Sequence, residues 1–180
     1  DEPKLLTFSG GIKMVFLAGM NAIVTGASRG IGKAIAETLA SFRINLCLAA
    51  RNPDPLNDTT VEIIKKYGVK VIPVVTDVAK LPDLENLVKT AKQKLGGIDI
   101  LVNNAGVSSQ YPFEKQPVAD FESLVHTNYL GYVRLIRLVI NDMIKKKAGI
   151  IINMISGSVL CDPCGSGGRR GRLRAACGPP

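Results

Sequence analysis

The chain has 180 residues, 46% of them hydrophobic, so it is long enough to bury the core of one ordinary domain. Its formal charge of +8 does not by itself indicate nucleic acid, because residues 161–180 hold four Arg and one Asp and so supply +3 of it. One of the four cysteines lies in an apolar run and three lie near the C-terminus, which excludes a disulfide framework and favours a reducing, cytoplasmic setting.

The first apolar stretch, residues 14–24, is interrupted by Gly19 and Asn21. It is shorter than the roughly 18 apolar residues of a spanning helix, so we expect neither a membrane segment nor a cleavable signal. Residues 1–13 show no regular pattern and are predicted to be an irregular leader. Because Met14 directly precedes the organised part, we hypothesise that it is the natural start.

From residue 21 to residue 155, short β-branched runs alternate with longer amphipathic stretches, a pattern typical of βα units. The predicted strands cover residues 22–25, 45–50, 70–75, 98–103 and 149–155. The predicted helices cover residues 31–42, 59–67, 84–95 and 118–147, with Pro82 and Asp83 as a start signal for the third. We therefore predict an α/β fold with a doubly wound, parallel, Rossmann-like sheet of strand order 3-2-1-4-5 and a ligand crevice between strands one and four.

A glycine-rich segment connects the first predicted strand to the first predicted helix. Glycines there would let a pyrophosphate approach the backbone, and the N-terminus of the following helix would attract it. A glycine-rich turn without a ligand is the alternative, which the strand–turn–helix context disfavours. The segment consists of Thr25, Gly26, Ala27, Ser28, Arg29, Gly30, Ile31 and Gly32.

The spacing of this segment resembles the cofactor fingerprint of the short-chain dehydrogenase/reductase family, and the resemblance runs from about residue 17 to residue 158. The subgroup that it resembles includes 3-oxoacyl-acyl-carrier-protein reductases and hydroxysteroid or sugar-alcohol dehydrogenases. The resemblance implies an oxidoreductase that interconverts a carbonyl and a secondary alcohol on a small molecule. It also implies that the intact family form is a homo-oligomer.

The residue after the second strand bears on the choice of cofactor. An enzyme that uses NAD would usually place an acidic residue there against the ribose hydroxyls, but this chain has Arg51. The guanidinium groups of Arg51 and Arg29 suit bidentate pairing with a ribose 2′-phosphate. The sequence therefore favours NADP(H) over NAD(H), and Asp54 is interpreted as a turn residue.

Two further segments resemble parts of the family's cofactor site. By this resemblance Asp77 bonds the adenine amino group and Val78 packs on the ring, although a cap or turn aspartate is the alternative. The segment after the fourth strand resembles the family's Asn-Asn-Ala-Gly motif, which braces the sheet and lines the cofactor crevice. It consists of Asn103, Asn104, Ala105 and Gly106.

The last predicted helix carries an asparagine among apolar residues. Helical spacing predicts one apolar face made of Phe121, Leu124, Val125, Asn128, Tyr132 and Leu135. An inward amide needs a hydrogen-bond partner. The resemblance implies that Asn128 holds a water that links the catalytic lysine to solvent, and a satisfied core amide is the alternative.

The fifth predicted strand is followed by Ser156, which takes the place of the family serine that hydrogen-bonds the substrate carbonyl, with Ser158 as the alternative if the register shifts. The family's Tyr-x-x-x-Lys motif should follow, in which the tyrosine donates the proton. Nothing after Ser156 supplies either residue. The match from Tyr111 to Lys115 precedes the serine and contains a proline, so it is interpreted as coincidence.

Residues 14–156 are therefore expected to be an incomplete NADP-binding domain, cut off before the family's later strands and helices, with an exposed apolar sheet edge. We expect the chain as given to be inactive or nearly so, and its oligomerisation to be doubtful. A non-catalytic nucleotide-binding isoform or interaction protein is the alternative.

Residues 157–180 are rich in Gly, Arg, Pro and Cys and do not resemble the family. Cys161 and Cys164 resemble half of a zinc knuckle, and the run Arg169-Arg170-Gly171-Arg172 resembles an RNA-binding stretch. With Cys177 there are three thiols and no nearby histidine. We expect neither a metal site nor a nucleic-acid partner.

Overall fold

A five-stranded parallel sheet forms the centre of the computed structural model, which describes residues 6–7, 13–14, 17–109 and 113–155. Its strands are β1 (Asn21–Thr25), β2 (Asn45–Ala50), β3 (Val71–Val75), β4 (Ile100–Asn103) and β5 (Ile150–Asn153). They lie in the order β3-β2-β1-β4-β5, and all four pairings are parallel. The predicted fold class and the order 3-2-1-4-5 are thus confirmed.

Helices connect the strands and cover both faces of the sheet. They are α1 (Gly30–Ser41), α2 (Pro53–Tyr67), α3 (Leu81–Leu95), α4 (Val118–Val125) and α5 (Gly131–Lys146). A π-helical turn, His126–Leu130, joins α4 to α5, so the predicted helix 118–147 is one helical segment with a widened turn inside it. A short 3₁₀ turn, Phe113–Lys115, precedes α4. Among the described helices none combines the length and the apolar character needed to cross a bilayer.

Helix α2 begins six residues before its predicted start. The side chain of Asn52 caps it by accepting a hydrogen bond from the Asp54 N–H at 3.3 Å, and Pro53 occupies the first helical position, where a missing N–H costs nothing. The helix ends at Gly68, whose φ of 65° is left-handed. Asp54 therefore lies in the first turn of the helix and not in a loop turn as predicted. Its carboxylate interacts favourably there with the positive end of the helix dipole.

The core has two parts, one on each face of the sheet, because successive strand residues point to opposite faces. Val24, Leu46 and Leu48 pack against residues of α1 and α2 that include Leu56 and Ile63. On the other face, strand residues that include Ile23, Cys47 and Leu101 pack against Leu84 and Leu87 of α3 and Leu135 and Val139 of α5. These two layers fix the carboxyl ends of the strands, where the site lies.

The leader contains a short piece of regular structure. Leu6–Thr7 pairs antiparallel with Lys13–Met14, so part of the leader that was expected to be irregular is a small ladder. Strands of two residues are too short to show a period in the sequence.

At one edge of the sheet, β5 is the last strand that the structure describes, and its Ile150 and Ile152 are 41% and 40% exposed, as the expectation of an open apolar edge requires.

Candidate functional site

A cleft of about 430 Å³ lies at the carboxyl ends of the strands. Twelve of the thirteen predicted cofactor-binding residues line it, and they come from the loops after β1, β2, β3 and β4 and from the first turn of α1. These residues are Gly26, Ser28, Arg29, Gly30, Ile31, Gly32, Arg51, Asp77, Val78, Asn104, Ala105 and Gly106. The structure thus brings together four segments that are far apart in the sequence.

Two glycines in the first turn of α1 have different roles in the geometry of the glycine-rich segment. A Cβ on Gly32 would lie 2.2 Å from the Gly26 carbonyl oxygen and 2.5 Å from Asn104 Nδ2, so only glycine lets α1 pack this closely on the loop. Gly30 has a φ of 56°, and no atom lies within 4 Å of where its Cβ would be. Its left-handed backbone therefore faces open space at the start of α1, which leaves room for a ligand.

The first turn of α1 offers unpartnered N–H groups to this space. Arg29 occupies the N-cap position without a side-chain hydrogen bond to the helix, and the first turn carries no acidic residue. The first backbone N–H groups of a helix have no acceptor within the helix, and the helix dipole is positive at that end. This end of α1 is consequently suited to a phosphate or pyrophosphate group.

Thr25 supports the cleft without lining it. Its hydroxyl accepts hydrogen bonds from the N–H groups of Asn104 and Ala105 at 2.9 and 3.0 Å, and it donates to the Val102 carbonyl at 3.3 Å. Asn104 Nδ2 in turn donates to the Thr25 carbonyl at 2.9 Å. Because Thr25 is only 1% exposed, this network is shielded from water and fixes the loop after β4 against the end of β1.

Two arginines line the part of the cleft that the neighbouring segments after β1 and β2 form. Arg29 and Arg51 are both exposed, and within the described chain neither guanidinium has a hydrogen bond or ion pair. The loop before Arg29 is tied to β2 through Ala27 N–H, which donates to the Ala49 carbonyl at 3.2 Å. Asp54 is not among the residues that line the cleft. This part of the cleft therefore carries positive charge and no carboxylate from the segment after β2.

Asp77 and Val78 lie after β3, on another wall of the cleft. Asp77 Oδ1 accepts a hydrogen bond from Ala79 N–H at 3.1 Å, and Asp77 N–H donates to Asp83 Oδ2 at 2.8 Å. Asp77 therefore stabilises the turn after β3 and also lines the cleft. Val78 is 7% exposed, and its carbonyl oxygen lies 2.8 Å from where a Cβ on Gly131 would be, so the loop is held closely against α5.

The position of Asn128 differs from the prediction. The face of α4 to α5 that is buried consists of Thr127, Gly131, Leu135, Val139 and Met143, and of the predicted face only Leu135 belongs to it. The π-helical turn adds a residue per turn and so rotates the following faces relative to a regular helix.

Asn128 itself is exposed and bonded to the loop after β4. Its Oδ1 accepts from Val107 N–H at 2.9 Å, and its Nδ2 donates to the Val107 carbonyl at 2.8 Å. The expectation of an inward, core-facing amide was wrong, whereas the expectation that the amide finds a partner is met by this pair of bonds. The pair lies beside the cleft, since Val107 and Thr127 both line it.

Other predicted residues lie away from the cleft or outside the described residues. Burial raises the pKa of the Cys47 thiol in β2 to about 12, so this cysteine is inert at neutral pH. Asn103 Nδ2 donates to Asn153 Oδ1 at 2.8 Å, which joins the ends of β4 and β5. Residues outside the described part include Ser156, Ser158, Tyr111, Cys161, Cys164, Cys177 and the arginines from Arg169 to Arg172.

Sequence reasoning missed several lining residues, among them Asn52, Pro55, Thr76, Val107 and Thr127. Thr76 and Val107 are immediate neighbours of predicted residues, so extending each loop motif by one position would have found them. Thr127 precedes Asn128 but points to the opposite, buried side of the helix. The π-helical turn that places it there has no sequence period of its own.

Comparison with known proteins gives consistent relatives. The sequence profile of the family described as short chain dehydrogenase matches residues 20–162. A 3-oxoacyl-acyl-carrier-protein reductase of Staphylococcus epidermidis is 32% identical over 136 residues, which are 76% of this chain and 56% of that protein. The 3-ketodihydrosphingosine reductase of Mus musculus is 38% identical over 145 residues, 78% of this chain and 43% of that protein. The chain thus spans about half the length of the curated relatives that it matches.

Solved structures agree with these matches. A short-chain type dehydrogenase/reductase from Mycobacterium marinum superposes with a TM-score of 0.78 at 32% identity, covering 82% of this chain and 60% of that one. L-sorbose reductase from Gluconobacter frateurii, solved in complex with NADPH and L-sorbose, gives a TM-score of 0.72 at 34% identity, covering 74% and 51%.

Proposed function

The chain belongs to the short-chain dehydrogenase family, and on that premise we propose that its cleft binds NADP(H) in preference to NAD(H). We propose further that the whole protein is an oxidoreductase that interconverts a carbonyl and a secondary alcohol. When bound, the nicotinamide cofactor would donate or accept the hydride. The residues of this chain bind and orient that cofactor.

The observation that carries the cofactor proposal is the pair of unpartnered guanidinium groups on the neighbouring cleft segments after β1 and β2. Arg29 and Arg51 are exposed and free of ion pairs within the described residues, and no acidic side chain occupies the position after β2. A planar guanidinium forms charge-assisted, bidentate hydrogen bonds with phosphate. A 2′-phosphate is the group that distinguishes NADP(H) from NAD(H), so these two arginines favour the phosphorylated cofactor.

The remaining walls of the cleft fit the rest of a dinucleotide. The open space at Gly30 and the uncapped start of α1 suit the pyrophosphate. Asp77 and Val78 line the cleft, and they would meet the adenine by one polar and one apolar contact. Asn104, Ala105 and Gly106 line the side next to β4 and β5, towards which the nicotinamide would extend. Each contact that we propose for the dinucleotide therefore has a residue of fitting chemistry among those that line the cleft.

The relatives support a carbonyl substrate. Two of them are named as reductases of 3-oxoacyl and 3-ketodihydrosphingosine groups, and the sorbose reductase was solved with NADPH. By the family pattern Ser156 would hydrogen-bond the substrate oxygen, and Asn128 would hold a water of the proton relay. Homo-oligomerisation, a cytoplasmic location and the absence of nucleic-acid binding stay predictions.

A second candidate function follows from the sequence after Ser156, which contains neither Tyr nor Lys. A reductase of this family needs a proton donor in addition to the serine. The 180-residue polypeptide by itself would then bind the cofactor without turning it over, as a nucleotide-binding protein would. The two candidates share the cleft and differ only in turnover.

One experiment separates these proposals. Titration of the 180-residue polypeptide with NADPH and NADH, followed by nicotinamide fluorescence, is expected to show NADPH binding about tenfold or more tighter. Equal affinities would overturn the preference for NADP(H). The same samples are then mixed with a panel of 3-oxoacyl thioesters and ketoses, and NADPH absorbance is followed. We expect no oxidation, and a measurable rate would overturn the non-catalytic candidate.

A further inference from the structure

Within the part of the chain that the structure describes, one side-chain hydrogen bond joins helix α2 to the glycine-rich loop. Thr59, in the second turn of α2, donates its hydroxyl proton to the Ser28 carbonyl oxygen, with Oγ1 and O 3.2 Å apart. Thr59 is 1% exposed and does not line the cleft, whereas Ser28 does. The contact therefore reaches the cleft from behind, through the backbone of the residue that precedes Arg29.

The hydroxyl of Thr59 donates to an acceptor outside its own helix, whereas the hydroxyl of the neighbouring Thr60 donates within the helix. A buried threonine in a helix ordinarily donates to the carbonyl four residues earlier in its own helix. Thr60 does so, with its Oγ1 2.8 Å from the Leu56 carbonyl oxygen. Thr59 instead bonds a residue 31 positions away. The buried hydroxyl of Thr59 thus joins α2 to the glycine-rich loop, whereas the bond from Thr60 lies within α2.

This bond has a counterpart one residue earlier in the loop. Ala27 N–H donates to the Ala49 carbonyl of β2 at 3.2 Å. Consecutive residues of the loop are thus fastened to the strand before Arg51 and to the helix after it, since β2 ends at Ala50 and α2 begins at Pro53. These two attachments connect the backbone just before Arg29 to the elements on either side of Arg51.

We propose that Thr59 is a positioning residue for recognition of the cofactor 2′-phosphate. By holding the Ser28 carbonyl it fixes the backbone of Arg29 relative to that of Arg51, so both guanidinium groups can reach one phosphate. The proposal rests on the proposed NADP(H) function. Without the bond, Ser28 and Arg29 can move away from α2, and the two guanidinium groups then no longer reach the same phosphate. The glycines that would accommodate the pyrophosphate remain in place.

The test compares two adenosine ligands that differ only in the 2′-phosphate: adenosine 2′,5′-bisphosphate and adenosine 5′-monophosphate. Their dissociation constants are measured by calorimetry on the full chain, and the ratio of the two reports recognition of the 2′-phosphate alone. For Thr59→Val this ratio is expected to fall by about threefold to tenfold, the loss of one positioned hydrogen bond. The matched control Thr60→Val removes a buried hydroxyl of the same kind and should leave the ratio within about twofold.

The Thr59→Ser variant keeps the hydroxyl and should retain the wild-type ratio, which a merely structural role for the methyl group would not predict. If Thr59→Val does not fold, Thr59→Cys replaces the hydroxyl by a weaker donor of similar size, and its ratio should fall in the same direction. A wild-type ratio near one would overturn the NADP(H) proposal itself. A wild-type preference for the bisphosphate that survives in Thr59→Val, or in Thr59→Cys, overturns only the role of Thr59.

Discussion

The carbonyl oxygen of Gly26 occupies the space that a side chain on Gly32 would need: a Cβ there would lie 2.2 Å from it. The end of β1 and the first turn of α1 are therefore in direct backbone contact. A side chain on Gly32 would fit only if the main chain moved, because the atom in its way is the backbone oxygen of Gly26.

Gly32→Ala is expected to destabilise the fold by about 1 to 3 kcal/mol, the usual effect of overpacking, and to weaken NADPH binding as the loop shifts. Gly30→Ala is the comparison. No atom lies within 4 Å of its added Cβ, but its φ of 56° is unfavourable, so about 1 kcal/mol of destabilisation is expected. Urea unfolding measures both free energies. A smaller loss for Gly32→Ala than for Gly30→Ala would contradict the close contact.

The hydroxyl of Thr25 is expected to contribute more to stability than an exposed threonine hydroxyl. Thr25→Val leaves the N–H groups of Asn104 and Ala105 without their acceptor in a buried setting, which should cost about 2 to 4 kcal/mol of unfolding free energy. Thr38→Val is the matched control, because the Thr38 hydroxyl is exposed and, among the described residues, bonds only the Ala34 carbonyl. Equal midpoints of urea unfolding for the two variants would show that the Thr25 network adds nothing.

The strands and their order could be predicted from the sequence because each strand is a short, β-branched run bounded by loops. Asn45–Ala50 agrees with its prediction at both ends, and the other strands differ from theirs by at most two residues at each end. The glycine-rich segment was equally accessible, since glycines between a strand and a helix have few other uses. These features depend on local sequence.

The features that the sequence did not reveal depend on contacts between distant segments. Helix α2 was expected to start at residue 59 because Pro53, Pro55 and polar residues hide its first turns, although a proline at the first helical position is favourable. The face of Asn128 was misplaced because a π-helical turn has no distinctive sequence period. The bond from Thr59 to Ser28 spans 31 residues and follows only from the packing of α2 on the loop.

Cys47 is expected to make stability depend on pH at the alkaline end. Burial raises its pKa from 9.0 to about 12, so the folded state holds the thiol proton more tightly than the unfolded state. The contribution is complete below pH 9 and is lost as the pH rises from about 9 towards 12, by up to about 1.4 kcal/mol per pH unit.

The measurement is urea unfolding of the wild type and of Cys47→Ala at several pH values between 8 and about 11, where other groups titrate alike in both proteins. The difference between their unfolding free energies should shrink as the pH rises. A difference that stays constant over this range would mean that the thiol is not desolvated in the folded state.

Arg51 is expected to determine the preference between the two cofactors. In Arg51→Asp a carboxylate replaces the guanidinium next to the ribose position, so it repels a 2′-phosphate and can accept hydrogen bonds from ribose hydroxyls instead. The affinity for NADPH should fall by at least about tenfold, and the affinity for NADH should stay equal or rise. Arg137→Asp on the exposed side of α5 changes the net charge by the same amount and should alter both affinities equally and slightly. If Arg51→Asp also lowers both affinities equally, Arg51 acts only through the general field of the cleft, and recognition of the 2′-phosphate must come from another side chain.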